Sequence, residues 1–289
     1  ENNTTVKTEI MAGVTSFMTM AYILAVNPNI LAAAGMDHGA VFTATAVASF
    51  IGTLCMALFA NYPFALAPGM GLNAYFAYTV VLGMGYSWEV ALAAVLTEGI
   101  IFIILSCFNI REAIFNAIPF NLKKAVSVGI GLFITFLGLQ NAKIVIGGAT
   151  LVGLFSVDGY NKTLADGLTA SMSDAGITVL LAIFGVLITG ILIVKNVKGN
   201  ILWGILITWI LGIICQFAGI YIPNPDLGFY NLLPDFSNGI SIPSLAPIMF
   251  KFSLKGVPVL EFIIIVFAFL FVDLFDTLGT LIGVSAKAD

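Results

Sequence analysis

Charge is what this sequence has least of. Only 9% of its 289 residues are Asp, Glu, Lys or Arg, 60% are hydrophobic, and the mean hydropathy is +1.08. A soluble domain of this length needs far more charge to cover its surface. The composition therefore reads as an all-α polytopic membrane protein, with the lipid bilayer as its surroundings. A net charge of −4 with no basic run and no aromatic-basic interleaving excludes nucleic acid as a partner. Cysteine is nearly absent too: Cys55, Cys107 and Cys215 lie in apolar segments with no His or second Cys at ligand spacing, so they are expected to be buried small hydrophobes. The lone His38, in a loop beside Asp37, gives no basis for a metal site, and no cofactor is expected. No cleavable signal with a basic n-region opens the chain.

The acids that do occur within apolar sequence are concentrated at one place. Phe271 to Gly283 reads FVDLFDTLGTLIG, and Phe262 to Leu270 before it has no polar side chain. As one helix, Phe262 to Val284 is long enough for a bilayer, which takes about 20 apolar residues. Asp273, Asp276, Thr277 and Thr280 then fall at i, i+3, i+4 and i+7, on one stripe. Each Asp at mid-membrane costs about 2.5–3.5 kcal/mol on insertion scales, so the stripe is expected to face protein or a wet cavity rather than lipid. Two close carboxylates there resist joint ionisation, which suits the pair to hold and release a proton. The plainer alternative is that the pair only ties helices together.

A second interruption is Asn61 to Leu72, NYPFALAPGMGL, whose Pro63, Pro68, Gly69 and Gly71 no continuous helix survives. A helical pattern resumes at Asn73 and lasts to about Leu82, roughly half of what a bilayer requires. Irregular backbone at membrane depth is tolerated only where it is buried in protein or lines a cavity. Transporters place substrate at the N-terminal end of such half-helices, where N–H groups are unpaired and the dipole is positive. Asn73, at the expected helix start, offers both a donor and an acceptor. The alternative is an ordinary loop before a short interfacial helix.

The other spans are read as Ile10 to Val26, ended by Pro28; Val41 to Ala60, rich in small residues; Trp88 to Phe108, with Glu98 near its centre; a fifth that follows Lys123-Lys124 and runs to about Leu139; Ile177 to Ile193; and Ile201 to Ala218. Thr19 on the first span either faces the cavity of the aspartates or bonds back to its own helix. Glu98 either pairs with a backbone or hydroxyl group or joins a proton path. Arg111 to Pro119 reads as a short amphipathic segment, and Gly129, Gly131 and Gly138 as close helix contacts. Gln140 to Asp174 reads as the longest loop, containing an Asn161-Lys162-Thr163 sequon, and a surface helix is expected near Ala246 to Phe252. With the N-terminus cytoplasmic, Lys7, Arg111, Lys123, Lys124, Lys195, Lys198 and Lys287 fall inside, and Lys143, Lys162, Lys251 and Lys255 fall in long outer loops, as the positive-inside rule favours. Seven spans form one unit, and the eighth opens another of opposite orientation, as in an inverted repeat.

Three stretches carry a family resemblance: AGVTSFMTMAYILAVNP at Ala12 to Pro28, ANYPFALAPGMGLNAYFAY at Ala60 to Tyr78, and FVDLFDTLGTLIG. Together they resemble the purine (guanine, hypoxanthine, adenine) permease branch of the nucleobase:cation symporters of the nucleobase-ascorbate-like type. The resemblance implies fourteen spans in two inverted repeats of seven, with a core that carries substrate and a gate used for homodimer contacts. On that plan residues 1–110 are core, 111–259 gate and 260–289 the return to the core. It implies that Asn73 and the backbone around Ala74 touch the base, that Asp273 hydrogen-bonds it, and that Asp276 is tied to proton coupling, with the proton as coupling ion. Thr277, Tyr75, Glu98 and Thr19 are secondary candidates. A carboxylate accepting two N–H donors from one edge of a neutral purine agrees with these roles.

The chain stops at Asp289, so the second half-helix implied by the resemblance is missing and the residues are expected to belong to a longer protein. The expected function is proton-coupled purine uptake by alternating access, in a bacterial inner membrane. Alternatives are a related uracil or xanthine permease and a non-transporting fragment. A channel would need a continuous polar lining, and an enzyme would need His, Cys or metal ligands beside the acids.

Overall fold

A computed structural model describes residues 5–108, 119–148, 151–233 and 241–288. The architecture is helical. Among the described residues, Val6–Ala32, His38–Ala60, Trp88–Cys107, Met172–Val194 and Asn200–Phe217 are long and apolar enough to cross a membrane. The acidic helix, α10 (Val259–Ala288), has 30 residues, about 45 Å at 1.5 Å per residue. The chain folds as two compact units, one of Ile23–Ile134 and Ile242–Asp289, the other of Glu1–Tyr22 and Thr135–Ser241.

The first of these holds the acids. It contains α2 (Ile23–Ala32), α3 (His38–Cys55), α4 (Met70–Ala74), α5 (Trp88–Cys107), the start of α6 (Phe120–Asn141) and α10. α3 runs on as a π-helical turn to Ala60, and α4 runs on as a π-helix over Tyr75–Gly83. α2 packs on α3, α5 on α10, and α4 on both α2 and α10. The interior is built largely of small residues: Ala40, Ala77, Ala91 and Ala94 are fully buried, beside Val80, Ile265 and Phe269. Phe50, Phe59 and Ile103 point outward, the arrangement for helices whose outer faces meet lipid while small residues let backbones approach.

Several expectations are corrected here. Pro28 does not end its helix: α2 continues through it to Ala32, and the interruption lies upstream at Ala21–Tyr22. Pro28 lies in the second turn of α2, where its missing N–H removes one bond of the ladder without ending the helix. The broken segment ends earlier than expected, because α4 starts at Met70, with Asn73 already in its first turn, donating its N–H to the Gly69 carbonyl at 3.2 Å. Ala246–Phe250 forms a turn rather than a surface helix, closed by Phe250 at φ +55°. Hydrogen bonds from Thr43 Oγ1 to the Pro243 carbonyl (2.9 Å) and from the Ser253 amide to the Glu89 carbonyl (3.3 Å) pin that segment. Cys55 and Cys107 are exposed on helix surfaces rather than buried. Gly129 and Gly138 face no atom within 4 Å of an added Cβ, so they mark no close helix contact among the described residues. Arg111 to Ile118 lies outside the described residues.

The other unit contains α1 (Val6–Met20), the end of α6, α7 (Val157–Asn161), α8 (Ile177–Val194) and α9 (Asn200–Phe217). Met18 of α1 fills the space beside Gly199, whose φ of +71° opens α9. α8 and α9 interlock through Gly185 and Thr189 on one and Gly204 and Thr208 on the other: an added Cβ at Gly185 would lie 2.5 Å from Thr208 Oγ1, and one at Gly204 would overlap Thr189 Oγ1. The long loop is not featureless. β1 (Val145–Gly147) pairs antiparallel with β2 (Val152–Leu154), and Ile146, Tyr160, Ala170 and Ala175 form a small core beneath them. Asn161 of the sequon is bound on both sides of its amide, accepting from the Ala170 N–H at 2.6 Å and donating to its carbonyl at 3.2 Å. Burial, and then the Asp174 carboxylate, push the Tyr160 and Tyr221 phenols up. Tyr221 therefore keeps its proton and donates to the Tyr230 carbonyl at 2.7 Å.

Candidate functional site

The broken helix lies along α10 in antiparallel order. Gly69 faces Asp276, a Cβ added at Gly71 would lie 3.8 Å from Val272 Cγ1, and the Tyr75 ring meets Phe269 edge-on at 4.9 Å. Asn73 and Ala74 fall between the second and third of these levels. Local sequence explains the approach: Pro63 and Pro68 keep the segment before Met70 out of the helical ladder, and glycine at 69 leaves room for the Asp276 carboxylate. A Cβ at Gly69 would stand 2.5 Å from Asp276 Oδ2. The carboxylate thus sits at the start of the half-helix, where a negative charge is favoured. Gly69→Ala should leave expression unchanged, since the obstructing atom is the end of a side chain, but displace Asp276 and lower uptake about tenfold. Wild-type uptake in that variant removes Asp276 from the site.

Asp273 lies one turn earlier on the same stripe and accepts from Thr277 Oγ1 at 3.4 Å. The Thr280 hydroxyl does not join the carboxylates; it bonds back to the Asp276 and Thr277 carbonyls at 2.9 and 3.1 Å. Across from them on α5, Glu98 is 4% exposed, its Oε1 has no hydrogen-bond partner, and the Asp273 carboxylate repels it. Asp273 and Asp276 repel each other as well. α2, α3, the broken helix, α5 and α10 as far as Thr280 carry neither Lys nor Arg to offset this charge. No group of three His, Cys, Asp or Glu suited to a metal ion occurs among the described residues.

The structure brings Asn73, Ala74, Tyr75, Glu98, Asp273, Asp276 and Thr277 into one unit. Thr19 belongs to the other, where its hydroxyl donates to the Ser16 carbonyl at 2.7 Å. Two polar residues beside Asn73 escaped the sequence reading. Asn27, 3% exposed, accepts a hydrogen bond from Asn73 Nδ2 at Oδ1 and donates from Nδ2 to Thr45 Oγ1 at 2.7 Å. The signal was present, an Asn beside Pro28 in apolar sequence, but it reads equally as a helix stop.

The Permease family profile matches residues 7–289. The chain is 43% identical over 300 residues to the guanine/hypoxanthine permease PbuG of Bacillus subtilis, covering 100% of this chain and 61% of that protein. It is 41% identical over 291 residues to PbuO, a second guanine/hypoxanthine permease of the same organism, at 100% and 61% coverage. It is 38% identical over 291 residues to the adenine permease AdeP of Escherichia coli, at 100% and 58%. The chain thus spans about three fifths of the length of these relatives, which are permeases and not enzymes. With the family profile covering nearly every residue, this chain belongs to the Permease family, in the branch of the guanine/hypoxanthine and adenine permeases.

Proposed function

We propose that the protein of which this chain is part takes up purine nucleobases together with protons, by alternating access. The observation that carries the reading is the broken helix laid against α10, its start facing Asp276 and Asn73 following within the same turn, with no Lys or Arg on the broken helix or on α10 as far as Thr280. Asp273 receives the N–H edge of the base, Asn73 and the backbone at Ala74 complete the contact, and Asp276 takes and releases the coupling proton. Tyr75, Thr277 and Glu98 surround the same contact. Carboxyl groups without a counter-cation suit proton binding, because each added proton relieves repulsion. The remaining architecture follows the same reading: inverted repeats of seven spans, a core of residues 1–110 and 260–289 against a gate of residues 111–259, homodimer contacts through gate helices, and a bacterial inner membrane with the N-terminus cytoplasmic.

The test uses the full-length protein in liposomes with radiolabelled hypoxanthine. An inward proton gradient should drive accumulation, and a protonophore should abolish it. Asp276→Asn should still exchange hypoxanthine across the membrane yet no longer concentrate it. Accumulation by Asp276→Asn equal to wild type removes that residue from coupling, and gradient-independent uptake by the wild type removes proton symport altogether. Stronger competition by uracil than by any purine turns the assignment to a pyrimidine permease.

A further inference from the structure

We infer that Thr45 and Asn27 fix the direction of the Asn73 amide, so that Asn73 turns its oxygen, not its N–H, toward the occupant of the site. Thr45 Oγ1 lies 2.7 Å from the Val41 carbonyl of its own helix. A carbonyl can only accept, so the single hydroxyl proton of Thr45 is committed to it. What Thr45 shows to Asn27 is therefore a lone pair, and Asn27 must meet it with Nδ2, at 2.7 Å. That sets the Asn27 amide and turns its Oδ1 to Asn73, which answers with Nδ2. Asn73 Oδ1 is left on the far side of its amide, as an acceptor with no partner of its own among these bonds.

Each link depends on the one before it. Reversing any amide would set donor against donor or acceptor against acceptor, and with Asn27 and Thr45 each only 3% exposed, no bulk water is at hand to repair the mismatch. The orientation of Asn73 is thus decided by a backbone carbonyl two helices away. With Asp273 also an acceptor, the site offers acceptors at two points. It selects a heterocycle that presents N–H donors at both and rejects one that turns a ring lone pair or an N-methyl group to Asn73. Thr45 and Asn27 are positioning residues, acting only through Asn73.

This inference rests on the purine reading above, and its test separates the two. In the full-length protein, uptake of labelled hypoxanthine is competed with unlabelled hypoxanthine and with hypoxanthine methylated at N1, N7 or N9 in turn. In Thr45→Val the hydroxyl is gone, Asn27 can turn, and Asn73 can then offer N–H. The handicap of one methylated analogue relative to hypoxanthine should shrink about tenfold, and Thr45→Ser, which keeps the hydroxyl, should restore the wild-type ranking. A merely structural role lowers the amount of transporter in the membrane and leaves the ratios among competitors untouched; unchanged ratios in Thr45→Val overturn the inference. Should Thr45→Val fail to reach the membrane, Thr45→Ala carries the same expectation without a misplaced methyl. A wild-type protein that takes up no hypoxanthine defeats the purine reading itself. Wild-type hypoxanthine uptake with unchanged ratios in the Thr45 variants defeats only the inference.

Discussion

Hypoxanthine uptake should fall about a hundredfold in Asp273→Asn, with the protein still folded and present in the membrane. The size follows from what the change does to hydrogen bonding. Asn keeps the shape of Asp but replaces one charged acceptor oxygen by a donor, so a ring N–H that met a carboxylate now meets an N–H. Bonds to charged groups are worth about 1.5–3 kcal/mol, and the mismatch leaves a buried donor unpaired. Stability should move the other way. Asp273 repels both Glu98 and Asp276 in the folded protein, and the neutral amide removes that repulsion while its Oδ1 can still accept from Thr277. A variant that melts no lower than wild type and does not transport is the expected signature. Wild-type uptake ends the assignment of Asp273 as the base-binding carboxylate.

Gly204→Ala should cost about 1–3 kcal/mol of stability, the range for overpacking a tight contact. Ordinarily Gly to Ala inside a helix stabilises. Here the new methyl would stand on Thr189, overlapping Oγ1 and coming within 3.0 Å of Cβ and 3.3 Å of Cγ2. The Thr189 hydroxyl cannot simply swing away without cost, because it donates to the Gly185 carbonyl at 2.7 Å, and Thr208 mirrors it by donating to the Gly204 carbonyl at 2.7 Å. The result is a pair of Gly-x-x-x-Thr steps facing each other in antiparallel helices, each glycine receiving the other helix's threonine. The check is a melting temperature on purified protein: Gly204→Ala lowers it, and Thr189→Gly added to Gly204→Ala recovers most of the loss. A single variant as stable as wild type means that α8 and α9 can separate freely at this point.

What could be read in advance and what could not divide along physical lines. The stripe of Asp273, Asp276 and Thr277 was legible because a helix in lipid makes polar residues conspicuous, and the break at Pro63 to Gly71 because proline and glycine act locally. Pro28 misled because the rule for the residue before proline is statistical, and α2 runs helical through Asn27 and Pro28. The strands at Val145–Gly147 and Val152–Leu154 were missed since three-residue strands leave no periodicity to detect. Cys55 and Cys107 were expected inside by a preference learned from water-soluble proteins, whereas an apolar residue on these helices gains nothing by leaving a lipid-facing surface. The partnership of Asn27, Thr45 and Asn73 spans three helices, and no spacing along the chain encodes it. The Gly-x-x-x-Thr steps were visible as spacing, though which threonine each glycine would receive depends on how two helices register.

Carboxylates with no Lys or Arg beside them on α5 or on α10 as far as Thr280 have an electrical consequence. An elementary charge moved across the full membrane potential gains or loses about 2.3 kcal/mol per 100 mV. On the alternating-access reading, an ionised cluster of Asp273, Asp276 and Glu98 is drawn toward the positive outer face of an energised cell, and protonation weakens that pull. On that reading the resting potential would favour the outward-open empty carrier, and proton binding would ease its turn inward.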